Sequence, residues 1–336
     1  MERWLAEERN VRLCAVLGAL AIAFSSILTR LSHASPSTAA IFRCAYALPV
    51  LILLAWWEDR RFGPRSWRAR RPAIIAGVFF AFDLIFWNRS IADIGAGLAT
   101  VLANIQVVLV PLAAWAWLSE RPGRRVLAAL PIALTGVLLI SGVLEHGAYG
   151  RDPTAGTLYA LVAGVAYVGF LLLLRQGGAD LRRPAGPLFD ATAIGAVVAV
   201  ILGQILGDAH LVPQWPSAGW LIVLALTSQV VGWLLITISL PRLPAALTSL
   251  LLMVQPVASV AFAAWILSES PSPLQLAGVV VVLAALLTAT YRGPGTASVR
   301  RLGYAIAGAS GSRSSAAAMS SSENSRSSSR PARKAS

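Results

Sequence analysis

The sequence predicts an all-α polytopic membrane protein whose ten transmembrane helices form two inverted five-helix repeats. Three observations carry that expectation. Uncharged apolar runs recur along the whole chain, arginines fall on alternate connections between those runs, and one polar-marked stretch recurs at a fixed offset.

The elements follow in order. Residues 1–12 form a short arm carrying Arg3, Arg9 and Arg12, and Leu13–Thr29 is the first span. That run is longer than a typical signal-peptide core and no small-residue cleavage site follows it, so it reads as a retained helix. The second span, near Pro36–Trp57, is interrupted only by Arg43, and the third, Pro72–Ile91, only by Asp83. Then come Ile94–Ser119, Val126–Leu144, Pro153–Leu174, Ala191–Gly207, Leu211–Pro241, Leu243–Ser268 and Ser270–Tyr291. Most reach the roughly 20 residues that carry a helix across about 30 Å of hydrocarbon. Ten spans use most of the 336 residues, leaving no room for a soluble domain. Beyond Tyr291 the composition turns to Ser, Ala, Gly and Arg. Residues 293–336 cannot bury enough apolar area to offset their ordering entropy, and are expected to be a disordered cytoplasmic tail.

Charge gives the orientation. Of 28 basic residues, all except Arg30, Arg43, Arg89 and Arg151 fall on the N-terminal arm, the even-numbered connections and the tail. Lys and Arg in short loops mark the cytoplasmic side. Both termini are therefore expected in the cytoplasm, and the chain in a bacterial plasma (inner) membrane. The net charge of +13 would otherwise suggest a nucleic-acid partner, but that needs a basic patch on a soluble face. Here the arginines flank apolar spans in a chain that is 57% hydrophobic. No nucleic acid is expected, and membrane lipids are. Cys14 and Cys44 both lie in spans, so neither a disulfide framework nor zinc spacing is present.

The repeat emerges on sliding the chain by 149 residues, which lays Ser90–Pro122 over Ser239–Pro271 without a gap. Apolar coincidences mean little in such helices. The polar ones are Gln106/Gln255 inside the span and Ser119-Glu120-x-Pro122 over Ser268-Glu269-x-Pro271 at its end. The fourth and ninth helices are thus equivalents, giving repeats of 13–144 and 153–292. Five helices is an odd number, so the second repeat must enter the membrane from the opposite side. That is a recurring architecture of secondary transporters, with substrate held near the midplane between repeats.

No Walker loop, GxSxG or HExxH is present, and His33, His146 and His210 are too scattered for a metal site. Neither catalysis, a metal nor a cofactor is expected. The chemistry falls to polar groups inside spans. Intramembrane Arg43 and Asp83 are costly and face either a partner or a watery cavity. Arg43 suits an anionic substrate group, or snorkels to the interface. Asp83 suits a coupling proton or a cationic group, or neutralises Arg43 statically. Trp87 shares its helix face. Gln106 and Gln255 either bind substrate or join helices. Thr100 and Asn104, Gln229 and Trp233, and Ser259 complete the candidate set. Glu120 and Glu269 end equivalent helices, either as gates or by bonding the N-terminus of the next helix, where negative charge is favoured. Asp190 reads as similar N-terminal compensation.

These residues resemble the EamA-type members of the drug/metabolite transporter superfamily. The matching pattern is Pro36-Ser-Thr-Ala-Ala-Ile-Phe-Arg43, then Ala96, Pro111 and Leu118-Ser-Glu120 with Gly136-Val137. Its second copy is Ala245, Gln255-Pro256 and Leu267-Ser-Glu269 with Gly278. The resemblance covers about residues 13–291 and implies a carrier that exports a small polar metabolite, such as an amino acid or drug-like compound, by alternating access. Asp83 lies outside the family pattern. A lipid-linked or nucleotide-sugar carrier is an alternative, as is a sensor or scaffold that recruits a partner through the tail. Protons are the candidate coupling ion; oligomeric state is not read from the sequence.

The orientation is testable by labelling. Gly123→Cys should be shielded from an impermeant thiol reagent in intact cells and Gly147→Cys should react. The reverse pattern would reject the topology.

Overall fold

A computed structural model describes residues 8–105, 109, 124–140, 144, 148–178, 180, 182–212, 214–239 and 254–290. All regular structure among them is helical. Gln106, Glu120 and the tail lie outside the described residues.

The first span is α1 (Glu8–Ser32). The second divides into α2 (Pro36–Ala45) and α3 (Leu48–Phe62). The sequence reading treated it as continuous, but Pro49 has no N–H to return to Ala45 and its ring disfavours an unbroken helix there. Ser35 caps α2 by accepting from the Thr38 N–H, with Pro36 opening the first turn. Next come α4 (Trp67–Ile94) and α5 (Ala96–Ala103), joined through Gly95 at φ +86°. The third span therefore starts at Trp67 and not at Pro72. A charge-free window excludes Arg68, Arg70 and Arg71, yet Ser66 accepts from the Ala69 N–H and starts the helix there.

The first half ends with α6 (Arg124–Ile140), and the second opens with α7 (Pro153–Gly177), which Asp152 caps through the Ala155 N–H at 2.9 Å. The α8 helix (Ala185–Leu206) begins six residues ahead of the expected Ala191, so Asp190 lies inside it; Gly207 in the left-handed region ends it. The eighth span is composite: α9 (Ser217–Leu224), a π-helical segment (Ala225–Gly232) and α10 (Trp233–Ser239). Then α11 (Val254–Leu267) and α12 (Pro273–Thr290) follow.

Among the described residues six helices are long and apolar enough to cross a bilayer: Asn10–Ser32, Pro36–Phe62, Trp67–Ile94, Pro153–Leu174, Ala185–Leu206 and Ser217–Ser239. Leu127–Ile140, Val254–Leu267 and Pro273–Ala285 are shorter apolar helices, and α5 opens the fourth expected span. Leu53, Ile75, Val165, Ile201 and Val280 point outward as an apolar surface suited to acyl chains.

Packing is close because small residues sit at the crossings, where lipid offers no hydrophobic drive between helices. The α4 helix packs against α7 and α8, α6 against α12, and α11 against α1 and α5. At the α6–α12 crossing, a Cβ on Gly136 would lie 2.9 Å from the Gly278 carbonyl oxygen, and one on Gly278 equally near that of Gly136. At the α4–α8 crossing, a Cβ on Gly77 would lie 2.5 Å from the Ala191 carbonyl oxygen. Backbone cannot retreat as a flexible side chain can. Gly77→Ala should therefore lower stability by about 1–3 kcal/mol, read as a lower melting temperature of the detergent-purified protein. A wild-type melting temperature would show that α4 and α8 part freely.

Candidate functional site

A face of α4 begins the site. Phe80, Asp83, Leu84 and Trp87 recur at helical spacing and line one cavity that is partly open to the outside. Ile22 and Ser25 of α1, Arg43 of α2, Thr100 and Ala103 of α5, Asn104, Tyr167 of α7, Trp233 of α10 and Gln255 of α11 complete the lining. The cavity thus joins two opposite charges, both nearly out of solvent: Arg43 is 4% exposed and Asp83 7%.

Arg43 is held from one side only. Its Nε donates to Gln229 Oε1 at 3.0 Å, and the Gln229 amide donates to Thr192 Oγ1 at 3.1 Å. The guanidinium carbon lies 5.8 Å from the Trp87 ring centroid, a cation–π distance. No described residue accepts from its Nη groups. Asp83 has no ion pair within 4 Å and no hydrogen bond among the described residues. Static neutralisation through direct contact is therefore not how these charges coexist.

One wall is aromatic. Phe80 stacks on Phe170 at 4.5 Å, Phe170 meets Trp233 edge-on at 5.1 Å, and Tyr167 lies 6.0 Å from Trp233. The Trp233 indole N–H is buried without a hydrogen-bond partner among the described residues. Such orphan donors cost free energy and call for an explanation. Trp233 immediately follows the π-helical segment that also carries Gln229. Irregular π turns are frequent at functional sites.

Of the residues picked from sequence, Arg43, Asp83, Trp87, Thr100, Asn104, Gln255 and Trp233 share this cavity. Gln229 stands behind it as the brace on Arg43. Thr100 and Asn104 bond locally, Thr100 Oγ1 to the Ala96 carbonyl and Asn104 Nδ2 to the Thr100 carbonyl, both at 2.8 Å. Ser259 stands apart from the lining. Its hydroxyl is 2.9 Å from that of Ser26 and donates to the Ala96 carbonyl at 3.3 Å, joining α11 to α1 and α5.

Glu269 caps a helix, though not the next one. Its two carboxylate oxygens accept from the Ala96 N–H at 2.7 Å and the Gly97 N–H at 3.1 Å, closing the start of α5. Burial pushes this carboxyl up from its ordinary range, while the two N–H groups pull it back down. A Cβ at Gly95 would come within 2.7 Å of the carboxylate, so glycine there meets both a positive φ and a close approach.

Sequence reasoning missed two relatives of this contact. Glu58, ending α3, accepts from the Ala185 and Gly186 N–H groups at 2.9 and 2.8 Å. Asp208, just past α8, accepts from the Ser37 hydroxyl at 2.6 Å at the start of α2 and pairs with Arg89 at 3.0 Å. Offsets of 149 and 150 residues relate Ser37 to Gly186 and Glu58 to Asp208, so the repeat itself was the signal. Asp190, in turn, compensates no helix end: it pairs with Arg65 at 2.9 Å and Arg70 at 2.7 Å.

The chain matches the EamA-like transporter family twice, over residues 11–142 and again over 154–291. It belongs to that family. The family and the apolar helices together make it a multi-pass membrane protein that carries a small molecule in a lipid environment. An uncharacterized protein of Pseudomonas aeruginosa is 29% identical over 211 residues, covering 60% of this chain and 69% of that one. A solved crystal structure, titled only as that of a protein, matches at 15% identity with a TM-score of 0.57. It covers 84% of this chain and 98% of its own, and shows the fold alone.

The Glu269 cap generates a test. Glu269→Gln leaves one of two buried N–H groups facing an amide that cannot accept from both. It should destabilise the purified carrier by about 1–3 kcal/mol, seen as a lower melting temperature. An unchanged one would mean that water already satisfies α5.

Proposed function

We propose that the chain is a secondary transporter that exports a small zwitterionic metabolite of amino-acid type across the bacterial inner membrane by alternating access, with both termini cytoplasmic. One observation carries the reading: a partly open cavity holds the nearly buried Arg43 and Asp83 with donor and acceptor groups that no described residue takes up. Ionisable groups kept within a membrane at several kcal/mol mark a transport pathway. A substrate carboxylate fits the Nη edge of Arg43, where charge-assisted bonds are strongest. A substrate ammonium fits Asp83, with the Phe80–Trp233 wall against its apolar part. Asp83 is also the candidate carrier of a coupling proton.

Two five-helix repeats of inverted topology support the alternating step. Both family matches contribute to the lining, the first through α1, α2, α4 and α5 and the second through Tyr167, Trp233 and Gln255. Reciprocal caps support the same relation: an acid ending α3 meets the start of α8, and an acid ending α8 meets the start of α2. A pseudo-two-fold axis in the membrane plane produces such a pair.

The direct test compares metabolites in culture medium with and without overexpression, then reconstitutes the carrier with the compounds that accumulate. Zwitterions should exchange across proteoliposomes, while their decarboxylated amines should not. Arg43→Gln should weaken substrate about 10–100-fold, the loss of one charge-assisted bond. If Asp83 carries the coupling proton as well as meeting the ammonium, Asp83→Asn should abolish gradient-driven accumulation, while exchange persists at raised substrate concentration. Normal accumulation by a well-folded Asp83→Asn carrier would remove Asp83 from coupling.

A further inference from the structure

The hairpin of α3 and α4 segregates its charges into two sets. Every acid around it among the described residues has a partner other than Arg60, Arg61, Arg68 and Arg71. Glu58 holds the Ala185 and Gly186 N–H groups, Asp190 holds Arg65 and Arg70, Asp59 lies 3.6 Å from Arg183, and Asp180 pairs with Arg182 at 3.0 Å. Arg60, Arg61, Arg68 and Arg71 are exposed and have no acidic partner among the described residues. Four positive charges on the facing ends of α3 and α4 therefore have no acidic partner among the described residues.

Three of these arginines lean on aromatic rings of their own helices. Arg60 lies 4.6 Å from the Trp56 ring centroid, Arg61 5.3 Å from that of Trp57, and Arg71 5.9 Å from that of Trp67. Those indoles are themselves about half exposed, at 55%, 49% and 59%. A guanidinium stacked on a ring loses little of its fork of donors and is preorganised for a phosphate. Tryptophan prefers the headgroup level of a bilayer. The exposed surface then continues as Ile52 and Leu53 on α3 and Ile75 and Val78 on α4, with no acid among them. Apolar stripe, indoles and bare arginines follow one another in the order of acyl chain, interface and phosphate.

We propose that this hairpin is a binding site for anionic phospholipid of the surrounding leaflet, its phosphate taken by Arg60, Arg61, Arg68 and Arg71 and its chains lying along Leu53 and Ile75. Zwitterionic lipid offers the same chains and the same phosphate but no net charge to offset four arginines. The site is separate from the cavity, so its occupancy is independent of which substrate the carrier moves. What it requires is only that the chain span a membrane.

Native mass spectrometry of the full chain, titrated with phosphatidylglycerol or phosphatidylcholine of identical chains, tests this. The wild type should retain phosphatidylglycerol with a preference of about 10-fold or more. Replacing Arg60, Arg61, Arg68 and Arg71 together with Gln should erase the preference, whereas replacing Arg313, Arg326, Arg330 and Arg333 of the tail should not. Loss in the tail variant alone, or full preference in the hairpin variant, would overturn the proposal. So would displacement of the lipid by millimolar inorganic phosphate, which would mark a free-anion site. Should the hairpin variant fail to fold, brominated lipids give a second reading. Brominated phosphatidylglycerol should quench wild-type tryptophan fluorescence more than brominated phosphatidylcholine. That excess should vanish when Trp56, Trp57 and Trp67 become Phe, and equal quenching of the wild type by both lipids would reject the site.

Discussion

The first N–H groups of a helix have no partner within it, and here acids from distant helices meet helix starts. Glu58 closes α8, Glu269 closes α5, and Asp208 meets the serine at the head of α2. Each contact joins elements more than a hundred residues apart. They set which helix ends meet, and the glycine crossings at Gly77 and at Gly136–Gly278 then bring the backbones into register. A carboxylate so placed does more than neutral capping would, because the macrodipole adds to the two hydrogen bonds.

Against that background the cavity is an exception. Arg43 is braced by Gln229 and Thr192 on one edge, and Asp83 by nothing described. Elsewhere in the molecule buried charge is consumed: Asp190 between Arg65 and Arg70, and Asp93 by Arg151. Arg43 and Asp83 differ from those pairs in lining a cavity together without touching each other.

The helices and their membrane character were legible because an apolar run of about 20 residues has few other readings. Arg43 and Asp83 stood out as lone charges inside such runs. Trp87 and Trp233 followed from helical spacing, the latter across the π-helical segment, which keeps Gln229 and Trp233 buried even though it departs from α geometry. Helix starts were less legible. A charge-free window truncates α4 and α8, since it cannot foresee that Arg70 and Asp190 neutralise each other. Glu58 was missed for a related reason: within Glu58-Asp59-Arg60-Arg61 it looks like a solvated surface charge, and its partner lies 127 residues away. Ser259 was read as a candidate ligand because a polar side chain in a span does not say whether it faces a cavity or another helix.

The Glu269 cap also has a consequence in time. The carboxylate that satisfies Ala96 and Gly97 lies 173 and 172 residues downstream of them. At ribosomal speeds of about 5–20 residues per second, that interval lasts on the order of 10–30 s. For that whole period the nascent chain carries a helix whose leading amides have no partner of their own. The first half can be inserted early, but it cannot be finished until nearly the last helix has been made.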